Sequence, residues 1–128
     1  MTFLYFGAGL SAGLIVSWTL YRIPVSDGYD LLALLAVSCA AFDLGRRIGT
    51  HALRRSLGIG LVFILVFICV YLCFALSPYL LGAAFLIHAA GSVSGWLRQR
   101  PISGRAYIQA TFSGSSLVLS IFVLIFYV

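Results

Sequence analysis

Apolar residues run through this chain in five long blocks, with most of the charge gathered between them. The blocks are Phe3 to Tyr21, Tyr29 to Gly45, Leu57 to Ser77, Tyr79 to Leu97 and Ala106 to Val128. About twenty apolar residues wound as an α-helix cross the roughly 30 Å hydrocarbon core of a bilayer. The pattern therefore predicts an all-α integral membrane protein, a five-helix transmembrane bundle forming one domain over residues 1–128. The second block is the weakest, because it is the shortest and carries Asp43 near its end. Four spans plus one interfacial or re-entrant segment is the alternative. Ile48 extends the second block, and snorkelling Arg46 and Arg47 accommodate it, so a full crossing is expected. The breaks carry turn chemistry: Arg22, Pro24 and Ser26-Asp27-Gly28, then Pro78, then Pro101 and Gly104. The tight break at Pro78 predicts an antiparallel hairpin of the third and fourth spans.

Composition adds a solvent. Only 9% of the residues are charged, against about a quarter in an ordinary soluble domain. Eight arginines outweigh three acids. A basic balance raises nucleic acid as a partner, but these arginines sit in short loops between apolar runs, which points instead to anionic lipid headgroups. Arg46, Arg47, Arg54, Arg55, Arg98, Arg100 and Arg105 fall in the two loops after spans two and four; Arg22 alone lies elsewhere. Five spans put both basic loops on the cytoplasmic side, leaving the N-terminus cytoplasmic and the C-terminus opposite. Interfacial aromatics divide the same way, with Trp18, Tyr21, Tyr29, Tyr79 and Tyr127 outside and Tyr5, Trp96 and Tyr107 inside. No basic n-region precedes the first block, so it is expected to be a span and not a cleaved signal peptide. Cys39, Cys69 and Cys73 all lie within apolar blocks, the wrong place and an odd number for a disulfide framework.

Small residues mark packing faces. Gly9, Gly13 and Ser17 recur every fourth residue in the first block. In the fourth, Ala84, His88, Gly91 and Gly95 share one helical face, and Gly91 with Gly95 forms a GxxxG pair that lets a neighbouring helix approach closely. His88 is the ionisable exception on that face. In the fifth block Gln109, Ser113, Ser116 and Ser120 form a polar stripe, with Ser113 and Ser116 at the depth of His88. A polar group in hydrocarbon is costly without a partner, so the His88 face is expected to pack on the serine face.

Other chemistry is poorly served. A haem held by two histidines would need His51, which lies about half a hydrocarbon core away from His88. A metal site would draw on Cys69, Cys73 and His88, but cysteines so placed are ordinarily packing residues. Asp43 precedes Arg46 and Arg47 by three and four residues, the spacing of a helical ion pair at the interface. No nucleophile–base set, phosphate loop or carboxylate pair is present, so no cofactor and no catalytic residue is expected. The leading expectation is a non-enzymatic membrane subunit or scaffold, assembling with itself or with other membrane subunits. Its basis is that the small-residue faces exceed what one bundle needs. The alternative is a small oligomeric transporter, channel or flippase with a polar path along His88 and the serines. An enzyme acting on lipid is a weaker third.

Overall fold

The computed structural model describes residues 2–47, 53–97 and 104–127. They form five α-helices: α1 (Thr2–Tyr21), α2 (Val25–Arg47), α3 (Leu53–Ala75), α4 (Tyr79–Leu97) and α5 (Gly104–Phe126). Four are long and apolar enough to cross a membrane, with qualifying segments Phe3–Tyr21, Val25–Gly45, Leu57–Ala75 and Tyr107–Phe126. In α4 the described side chains give an apolar segment Tyr79–Ser94, and the helix itself continues to Leu97. The second block, the weakest in the sequence pattern, is among the four.

The reason lies at the start of α2. Ser26-Asp27-Gly28 reads as a turn, but the helix already begins at Val25. The Gly28 amide donates to the Pro24 carbonyl at 2.9 Å, a helical bond. Asp27 falls in the first turn, where a carboxylate complements the helix dipole. A polar residue at a helix start supports the helix, and the segment gains four residues over the predicted block. The α3–α4 break behaves as its sequence suggests. The Ser77 hydroxyl accepts from the Tyr79 amide at 3.3 Å, a capping contact, with Pro78 at a position where a missing N–H costs nothing.

Two helices form the interior. Half of the membrane-length segment of α5 is buried inside the protein, against 17% of that of α3. One side of α5 packs on α1 and the other on α4; α4 in turn meets α3 and α2. The core contains Leu32, Ala36, Val66, Leu81, Ala84, Phe85, Leu119 and Val123. Large apolar residues such as Phe67, Ile68 and Tyr71 of α3 face outward, the reverse of a water-soluble protein.

The α1–α5 pair was not foreseen as a pair. The two run parallel, since Tyr5 stacks on Tyr107 at 4.4 Å at one end and Tyr21 meets Phe126 at 5.4 Å at the other. A Cβ on Gly9 would fall on the Thr111 carbonyl; one on Gly13 would lie 2.9 Å from the Val118 Cβ and 3.0 Å from the Ser115 carbonyl oxygen. Gly114 answers from α5, where a Cβ would strike the Phe6 carbonyl. Glycines on both helices thus bring two backbones into contact. At the far end Tyr29 donates to the Cys73 carbonyl at 2.9 Å and packs against Phe74 and Tyr127, tying α2, α3 and the end of α5 together.

Candidate functional site

The site is a polar seam between α4 and α5. Helical periodicity places Gln109, Ser113, Ser116 and Ser120 on one side of α5, and all four are at most 1% exposed. On α4, Gly82, His88 and Ser92 are all buried, the last two at 3% and 1% exposed. His88 Nδ1 lies 2.9 Å from the Ser116 hydroxyl. Which of the two atoms donates depends on the imidazole tautomer. One end of the seam is tied by Ser120, whose hydroxyl donates to the Gly82 carbonyl at 2.9 Å. Ser113 donates to the Ala110 carbonyl of its own helix at 2.8 Å.

A third helix touches the edge of the seam. Phe112 of α5 lies 6.4 Å from the His88 ring and 5.7 Å from Phe42 of α2. Phe42 precedes Asp43 in α2, so these ring contacts lead from His88 to the α2 turn that carries Asp43. Asp43 is 7% exposed, so a carboxyl on α2 and an imidazole on α4 are both withdrawn from the surface. Arg46 and Arg47, its expected ion-pair partners, have side chains outside the described residues, as do Arg54, Arg55, Arg98, Arg100 and Arg105 of the basic loops.

The packing residues divide differently from the single face read in the sequence. Ala84 is fully buried. Gly91 turns toward α3, where a Cβ would lie 3.2 Å from Val62, while His88 turns toward α5. The Ala84–His88–Gly91 face is wide enough to serve two neighbours at once. The side-chain surroundings of Gly95 lie outside the described residues. Gly9 and Gly13 are consumed inside the chain by α5.

Three participants escaped the sequence reading. Ser92 is 1% exposed, and its hydroxyl has no hydrogen-bond partner among the described residues; its signal was the spacing of four from His88. Gly82 and Gly114 approach α5 and α1 respectively. Their signal was absent, since a lone glycine in an apolar run says nothing about which neighbour it meets.

Among the described residues no three His, Cys, Asp or Glu side chains come together as a metal site. Cys73 is buried and donates to the Val70 carbonyl at 2.9 Å, an intrahelical contact. The chemistry the seam offers is hydrogen-bond exchange between an imidazole and hydroxyls in an apolar surround. Compared with known protein families, curated proteins and solved structures, the chain matches none.

Proposed function

We propose that this is a five-span membrane protein that moves protons, alone or with a small polar solute, along the α4–α5 seam. The observation that carries the reading is the contact between His88, 3% exposed, and Ser116 at 2.9 Å in the middle of an apolar bundle. Ionisable groups are expensive in hydrocarbon, and where they occur they mark ion and proton paths. Imidazole takes a proton on one nitrogen and releases one from the other, and neighbouring hydroxyls relay it. Asp43, buried on α2 four residues before Arg47, is a natural terminus for such a relay toward the arginine-bearing side.

In this reading the basic loops with Arg46, Arg47, Arg54, Arg55, Arg98, Arg100 and Arg105 lie in the cytosol against anionic headgroups. The N-terminus shares that side and the C-terminus lies opposite. The test is dissipation of an imposed pH gradient by protein reconstituted in liposomes. His88→Ala is expected to slow it at least tenfold with the protein still folded. Equal rates for both proteins reject the relay.

A second reading, a scaffold or subunit of a larger assembly, retains one support: the outward apolar face of α3, with Leu61, Ile64, Phe67 and Ile68. Its other premise, surplus small-residue faces, is weakened because Gly9, Gly13 and Gly91 are spent on contacts within the chain. Loss of assembly in His88→Ala, with no proton flux in either protein, would favour it.

A further inference from the structure

Arg22 is the arginine that stands apart from the two basic loops. It is exposed, at the end of α1, with its guanidinium over the Trp18 ring at 5.1 Å. Below it a groove opens along the surface shared by α1 and α5. Gly9 and Gly13 hold the two backbones together deeper in the bundle. Beyond Ser17 the facing residues include Trp18, Phe122 and Phe126, too bulky for backbone contact. The opening is a groove of about 520 Å³, within the roughly 300–1,000 Å³ of small-molecule sites.

The length of the groove selects its occupant. It runs from Leu14 to Tyr21 on α1 and from Val118 to Phe126 on α5, about 10–12 Å of helix at 1.5 Å per residue. One leaflet's hydrocarbon is about 15 Å deep. A partner helix would need a face through the whole bilayer, whereas an acyl chain needs one leaflet. The rim supplies the rest. The cation–π contact with Trp18 holds the Arg22 guanidinium at the rim, where its N–H groups suit a phosphate. Ser17 lines the groove deeper down, 7% exposed, its hydroxyl without a hydrogen-bond partner among the described residues. It is a donor at the level where glycerol ester carbonyls fall below a phosphate. Asp27 and Asp30, both exposed at the start of α2, set two carboxylates at the same end. They disfavour a net negative headgroup and favour an ammonium.

We propose that this groove binds one zwitterionic, amine-bearing glycerophospholipid. An acyl chain lies between α1 and α5, the phosphate pairs with Arg22, and the ammonium faces Asp27 and Asp30. The proposal rests on the membrane reading above and is independent of the proton relay.

The test uses the full chain in nanodiscs of equal phosphatidylethanolamine, phosphatidylcholine and phosphatidylglycerol, released gently and weighed by native mass spectrometry. One retained phosphatidylethanolamine is expected. Arg22→Gln should cut retention at least fivefold. Ile121→Trp, which fills the groove from a half-exposed position, should bring it to background, with thermal melting verifying the fold. His88→Asn should leave it unchanged. Equal retention by all variants overturns the proposal, as does preferential retention of phosphatidylglycerol. A dimer abolished by Ile121→Trp would assign the groove to a second copy and overturn it also. Failure to enter nanodiscs would sink the membrane reading together with this one; insertion without a retained lipid would sink this one alone.

Discussion

Gly9 and Thr111 stand at opposite ends of the chain, yet a Cβ added to Gly9 would fall on the Thr111 carbonyl oxygen. The contact is backbone to backbone, so no side chain can swing away to make room. Gly9→Ala must push α1 from α5 and is expected to destabilise the fold by about 1–3 kcal/mol, the range for overpacking. Gly7, with nothing within 4 Å of its Cβ position, is the control. Gly7→Ala should be neutral or stabilising by up to about 1 kcal/mol, the helix-propensity gain. Equilibrium unfolding in mixed micelles measures both.

Gly82 is close to α5 in a different way. Its Cβ position lies 3.0 and 3.1 Å from two atoms of the Leu124 side chain, with the Ser120 carbonyl oxygen at 3.7 Å. A leucine can change rotamer, so Gly82→Ala should cost less than Gly9→Ala under the same conditions. The reverse order would mean that the α4–α5 seam is the tighter interface.

The contact between His88 and Ser116 predicts a coupling. In a double-mutant cycle of His88→Ala and Ser116→Ala, the interaction energy should be about 0.6 kcal/mol, with a ceiling near 1.7, as for hydrogen bonds inside membrane bundles. Additive effects, with no coupling, would mean that the two side chains do not interact in the folded protein.

Tyr29→Phe removes the hydroxyl that donates to the Cys73 carbonyl while leaving the ring against Phe74 and Tyr127. A loss of about 0.5–1.5 kcal/mol is expected. Tyr29→Ala should cost more, because it also empties the aromatic cluster.

Tyr5 packs on Tyr107 and Tyr29 on Tyr127, so the two chain ends lie at opposite ends of the bundle. Once inserted, tags on the two ends should label from opposite compartments. Labelling of both from one side would require an even number of crossings and would remove the basis for placing the arginine loops in the cytosol.

The buried stripe of α5 was legible because helical periodicity acts on a chain mostly free of polar residues. Gln109, Ser113, Ser116 and Ser120 share one face, and in a chain suited to lipid a polar face is the one to bury. The helix count was legible for the same reason: length and hydropathy set how often a segment can cross. The start of α2 was misread because Ser26, Asp27 and Gly28 are equally good at making a turn and at opening a helix, and local sequence cannot rank the two.

Residue order alone thus determined that this is a helical chain suited to lipid, with one imidazole inside its apolar blocks and a row of hydroxyls too polar to leave outside. Only tertiary structure decided which helices touch. It joined α1 to α5 through Gly9, Gly13 and Gly114, split the α4 face between Val62 and Ser116, and opened a groove above Ser17. A glycine announces that close approach is possible, but the approaching partner is set by how all five helices share one limited interior.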